Sequence, residues 1–109
     1  MNPENAFDKY QADAMSVRLA SADESYAVLG LPGEVGEICS LIAKAVRDGI
    51  PDEVEYNNKM KKELGDVLWF VAAIAHDNGF SLSSIADANI NKLKSRKERG
   101  TLSGSGDDR

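Results

Sequence analysis

Apolar residues recur along most of the chain at steps of three and four, the period of an amphipathic helix. Phe7, Tyr10, Ala14 and Val17 predict a first helix over residues 4 to about 21, with Asn2 as its N-cap and Pro3 at the first helical position. Residues 21–25 are polar and read as a connection, with Asp23 or Ser25 available to cap the next helix. That second segment runs to about Asp48 and carries Leu31, Val35, Ile38, Leu41, Ile42, Ala45 and Val46 on one stripe. Pro32 admits two readings there, a kink inside one helix or the first turn of a new one. Gly49 and Pro51 stop the segment. A third helix over 52–77 starts at Asp52 and has Tyr56, Met60, Leu64, Val67, Leu68, Val71, Ile74 and Ala75 as its apolar face. Asn78 and Gly79 end it. Ser81 or Ser83 caps a fourth helix, to about Glu98, which buries Leu82, Ile85, Ala86, Ile90 and Leu93. No stretch alternates with a period of two. The pattern predicts an all-α fold of four main helices.

A chain of 109 residues is expected to form one domain. Residues 1–99 read as that domain and residues 100–109 as a Gly/Ser-rich tail, flexible by composition. So short a chain buries only a modest core. The bundle is therefore expected to be completed by a second copy, as a homo-oligomer. Acids outnumber bases, 18 to 13, which argues against a nucleic-acid partner but not against a phosphorylated substrate held through a metal. One cysteine and one histidine exclude an intrachain disulfide and a Cys/His zinc site. Cys39 reads as a small packed side chain and His76 as a surface residue. No signal peptide is visible, and the longest apolar run, Val67–Ala75, is too short to span a bilayer. The expectation is a cytoplasmic protein with no membrane partner.

Four acids change this picture. Glu34 and Glu37 are three apart on the second helix, and Glu63 and Asp66 three apart on the third. On a wheel of about 100° per residue, Glu34 and Glu63 fall on the flank of each apolar stripe. Glu37 and Asp66 lie about 60° further out, at the rim. Residues three apart on a helix point the same way. Two such pairs on facing helices converge four carboxylates, whose mutual repulsion a divalent cation relieves. Oxygen donors of this kind select Mg²⁺, Mn²⁺ or Ca²⁺. On the solvated-face alternative the acids are ordinary surface groups; Lys59 and Lys62 can then neutralise Glu63 and Asp66, whereas no basic residue lies near Glu34.

The stretch Gly30-Leu31-Pro32-Gly33-Glu34-Val35-Gly36-Glu37, followed by Glu63-Leu64-Gly65-Asp66-Val67-Leu68-Trp69-Phe70, resembles the MazG-like nucleoside triphosphate pyrophosphohydrolases. Asn89-Ile90-Asn91-Lys92-Leu93 with Arg96 extends the resemblance onto the last helix. The resemblance implies an all-α fold assembling as a homodimer or homotetramer. It also implies hydrolysis of a (deoxy)nucleoside triphosphate to monophosphate and pyrophosphate, with Mg²⁺ as cofactor and Mn²⁺ as a substitute. Carried over, Glu34, Glu37, Glu63 and Asp66 are its metal-binding and catalytic residues. Asn89, Lys92 and Arg96 share one stripe of the fourth helix and suit phosphate and sugar, with Lys44 and Lys62 as weaker candidates. Phe70 lies one turn beyond Asp66 and can stack on a base or pack in the core. Trp69 points to a less apolar side and reads as a subunit contact. The tail either stays flexible or closes over the site as a lid. Two rival readings are a non-catalytic helical assembly domain and a different metal-dependent phosphohydrolase on the same bundle.

Overall fold

The computed structural model describes residues 4–109, and its regular structure is four α-helices. They are α1 (Ala6–Ser16), α2 (Glu24–Asp48), α3 (Glu53–Asp77) and α4 (Leu82–Glu98). The expected cap at Asn2–Pro3 lies outside the described residues. Asn5 caps α1 instead, accepting from the Phe7 N–H at 2.9 Å. Asp23, Asp52 and Ser81 cap the other three helices through their side chains. α1 stops five residues short of the expected end. Beyond it, the 17–22 segment turns on backbone bonds from Arg18 N–H to Met15 O and from Ala22 N–H to Leu19 O.

α2 is one helix through Pro32, so the Val28 carbonyl has no intrahelical N–H donor at position 32. α2 and α3 form an antiparallel hairpin. Residue 27 packs near 70 and 73, residue 30 against 70, and residue 34 beside 63 and 66. Gly30 is required for this approach. A Cβ there would stand 2.4 Å from a Phe70 ring carbon.

The buried core is small: Ala14, Ala27, Phe70, Ala72, Ala73, Ala75 and Leu82. Alanines let α1, α2 and α3 approach closely where the larger expected stripes do not. Val35, Ile42 and Val46 of α2, Leu64 and Leu68 of α3, and Ile85 and Ile90 of α4 are exposed. Cys39 is exposed as well, not packed. α4 packs on α1 and α3 and makes no approach to α2. α2 is long and apolar enough to cross a bilayer by length and composition, and little of it is buried within one chain.

Two polar side chains of α1 anchor α4. Gln11 Oε1 accepts from the Leu82 N–H at 2.9 Å, and its amide donates to the carbonyls of Phe80 and Ala72. Asp8 accepts from the N–H and the hydroxyl of Ser83 at 3.1 and 2.9 Å. Both are almost fully buried. They satisfy N–H groups that a helix start leaves without intrahelical partners.

Residues 99–109 fold back on the end of α4 instead of hanging free. The Arg109 guanidinium donates to the carbonyls of Thr101, Leu102 and Gly106 at 3.1, 2.9 and 2.6 Å. Gly100, Gly104 and Gly106 take positive φ angles that these reversals require.

Candidate metal centre

Glu34 of α2 and Glu63 and Asp66 of α3 each offer a carboxylate oxygen, all within 4.8 Å of one another. The helical hairpin produces this cluster: two acids three apart on α3 face one acid on the flank of α2. Glu34 and Glu63 are half-buried and Asp66 is exposed. Glu37 lies one turn along α2, exposed and outside the group of three. Its charge still acts on Glu34.

Burial raises the Glu34 carboxyl above its ordinary range, and the charges of Asp66 and Glu63, a hydrogen bond with Glu63 and the charge of Glu37 add to the rise. No lysine or arginine among the described residues forms an ion pair with Glu34, Glu63 or Asp66. Lys59, which has Glu63 within helical reach, pairs with Glu55 at 2.9 Å instead. Converging carboxylates, a destabilised anionic form and no protein cation fit a hard divalent ion.

A cavity of about 340 Å³ opens directly beside these acids. Glu34 and Asp66 form one side of it, Tyr26, Trp69 and Phe70 the aromatic walls, and Val17, Arg18, Leu19 and Ala22 the remainder. Phe70 is buried, with Tyr26 tilted against it at 5.6 Å and Trp69 edge-on at 5.2 Å between ring centroids. Trp69 is half-buried and donates its indole N–H to the Ala14 carbonyl at 3.2 Å. Within one chain it is therefore an inner strut and not a free contact surface. Tyr10 of α1 senses the same centre: desolvation first, then the negative charge of Asp66, pushes its phenol up.

The other candidate residues lie elsewhere. Lys44 lines a separate cavity of about 300 Å³ at the α2–α3 turn, with Lys59, Asp52 and Tyr56. It is ten residues from Glu34, or about 15 Å along the helix axis. Asn89 and Lys92 are exposed on α4, which does not approach α2. Arg96 is buried under the 99–109 segment and donates to the Asp107 carbonyl. One Asp107 carboxylate oxygen lies 3.6 Å from both Lys92 Nζ and an Arg96 guanidinium nitrogen. Residues 99–109 thus sit on the α4 cations and not over the acid cluster. Tyr26, Tyr10 and the 17–22 segment escape sequence reasoning, because only tertiary approach brings them to the acids. Phe70 was visible through its place one turn beyond Asp66, whereas Trp69, read as a subunit contact, lines the cavity instead.

Residues 23–101 match the family described as the MazG nucleotide pyrophosphohydrolase domain. All three clustered acids and the aromatic walls of the cavity fall within that span, and Val17, Arg18, Leu19 and Ala22 precede it. The chain is also similar to the Gene 37 protein of Mycobacterium phage L5, at 45% identity over 87 residues, 78% of this chain and 75% of that protein. No solved structure gives a significant match.

Proposed function

The chain belongs to the MazG nucleotide pyrophosphohydrolase family, and from that premise we propose that it hydrolyses a (deoxy)nucleoside triphosphate to the monophosphate and pyrophosphate in the cytoplasm. The observation that carries the proposal is the junction of two features. A three-carboxylate cluster with no lysine or arginine ion-paired to it among the described residues opens into an aromatic-walled cavity that shares Glu34 and Asp66 with it. A nucleotide has the matching layout, a polyanion joined to a flat aromatic base.

In this reading Glu34, Glu63 and Asp66 hold Mg²⁺, with Mn²⁺ as a substitute and Glu37 as the outer acid of the set. When bound, the metal neutralises phosphate charge and acidifies coordinated water. Water adds to the α-phosphorus, the bond to the oxygen bridging the α- and β-phosphorus breaks, and pyrophosphate leaves with that oxygen. The residues supply position. Half-burial of Glu34 and Glu63 fixes their carboxylates against the hairpin. Tyr26 and Trp69, with the buried Phe70 ring packed against both, give the base an apolar face to stack on and exclude water from that side.

Asn89 and Lys92 would serve the polyphosphate of a neighbouring copy, since their own helix stands away from α2. That requires a homo-oligomer. The uncovered faces of α2 and α3, with Val46 83% and Leu64 53% exposed, support one.

Pyrophosphate release from a panel of canonical and modified dNTPs and NTPs with Mg²⁺ tests the reading. Alanine at Glu34, Glu63 or Asp66 should lower turnover by at least about 10²-fold while the far-ultraviolet circular dichroism stays helical. Orthophosphate as the product would instead indicate another phosphohydrolase. An unchanged melting temperature with Mg²⁺ or Mn²⁺, together with no turnover, would leave an assembly domain.

A further inference from the structure

We propose that Arg18 is a positioning residue for nucleobase selectivity: by bridging to Asp77 it holds the 17–22 segment as one wall of the cavity beside Glu34 and Asp66. The proposal rests on the nucleotide reading above and adds the element that discriminates among bases. Val17, Arg18, Leu19 and Ala22 all line the cavity together with the aromatic and acidic residues. Their sequence context, Val-Arg-Leu-Ala-Ser-Ala, contains no glycine or proline to fix a turn. Two backbone hydrogen bonds turn the segment, and the Arg18 side chain braces it.

The Arg18 guanidinium donates to both Asp77 carboxylate oxygens at 2.8 and 2.9 Å. Its Nε–H donates to the Ala22 carbonyl at 2.6 Å, and one terminal nitrogen also lies 3.6 Å from Met15 Sδ. One side chain thereby ties the far end of the segment, the end of α1 and the last turn of α3 into a single brace. The pair is shielded, with the Arg18 and Asp77 side chains 12% and 13% exposed. A bidentate pair so placed has one geometry, which lysine cannot reproduce. Val17 and Leu19, on either side of Arg18, are 71% and 72% exposed. The segment thus turns its cation inward to the brace and leaves two apolar side chains free at the cavity, where a base edge would meet them.

This arrangement separates two kinds of binding. The acids hold the polyphosphate end, whereas the braced segment touches only the nucleoside end. Arg18→Ala and Asp77→Asn should therefore raise KM for nucleoside triphosphates about tenfold, the effect of a misplaced wall, with kcat within about twofold of the parent chain. Preference among bases should narrow. Arg18→Lys should fall between. Inorganic tripolyphosphate, which has no base, should bind each variant with Mg²⁺ as tightly as it binds the parent chain, by calorimetry. Equal weakening of nucleotide and tripolyphosphate would mean general structural damage and overturn the proposal, as would unchanged KM and base ranking. Leu19→Ser, on an exposed side chain, provides the check that does not depend on the brace surviving. It should reorder the base panel, and a ranking identical to the parent would also overturn the idea. A parent chain that hydrolyses no nucleotide would instead remove the underlying reading.

Discussion

The Glu34 carboxyl is held above its ordinary value of 4.5 by burial and by the acids around it. Its native state therefore keeps a proton that the unfolded chain has released. The resulting contribution to stability is fully present below about pH 4.5 and is lost as pH rises through the raised native value. Asp77 behaves in the opposite sense. Its hydrogen bonds with Arg18 hold it below its ordinary 3.8, so its contribution is present above that value and lost as pH falls through the depressed one. At neutral pH without metal, Glu34 is thus a cost and Asp77 a gain. Glu34→Gln should raise the metal-free melting temperature at pH 7 and abolish the rise that Mg²⁺ gives the parent chain. Scanning calorimetry from pH 4 to 8, with and without Mg²⁺, measures both. A lower metal-free melting temperature in the variant would mean that the four acids do not repel as their layout requires. This strain was legible in the sequence, because a three-residue spacing fixes direction on a helix: half-buried Glu34 and Glu63 and exposed Asp66 and Glu37 follow from the wheel alone. The partners across the cavity were not legible. Tyr26 meets Phe70 across 44 positions of sequence, and no local period encodes such a contact.

Helix starts were the most readable elements, since Asp23, Asp52 and Ser81 cap where short polar side chains precede an apolar period. Two features resisted reading for one shared reason: polar residues placed where composition suggests solvent. Asp8 and Gln11 stand outside the apolar period of α1 and drew no reading from the sequence, yet both are buried and complete the start of α4. Residues 100–109 read as flexible, yet Arg109 cross-links them through three backbone carbonyls. In both cases the chain's own polar groups replace water, and period and composition do not record that exchange. Gln11→Ala would leave the Leu82 N–H and two carbonyls without this partner. The expected loss is about 1–3 kcal/mol of unfolding free energy, read by urea denaturation. The variant should also show faster amide exchange in the first turn of α4 than in α2 or α3, since the loss is local. Uniform acceleration across all four helices would mean that Gln11 serves the whole bundle instead of the α4 junction.

At the scale of the molecule, a single chain is open. Its radius of gyration is 16.9 Å, whereas a compact chain of this length has about 13 Å. The excess comes from a long α2–α3 hairpin and an α4 that does not reach α2. The apolar stripes predict core, yet Val35, Ile42 and Val46 of α2 and Ile85 and Ile90 of α4 remain exposed. Both facts follow if the stripes are real and their counterpart lies on another copy. A lipid surface is a poorer counterpart for α2, because Glu34 and Glu37 sit along the same helix as its apolar residues, and charged side chains in hydrocarbon are costly. Sedimentation should therefore give a dimer or larger species at micromolar concentration. The melting temperature should rise with protein concentration, because assembly stabilises only the folded state. Val46→Asp and Leu64→Asp place charges on the exposed apolar faces and replace neither a cavity-wall residue nor a clustered acid. They should shift the chain toward monomer and steepen that concentration dependence. If Asn89 and Lys92 serve a neighbouring copy, activity should fall in parallel with the oligomer fraction, and mixing the dissociating variant with excess parent chain should restore part of it. A monomeric parent chain with full turnover would refute both assembly and shared sites, and would require the acids, the aromatic cavity and the braced 17–22 segment of a single chain to suffice.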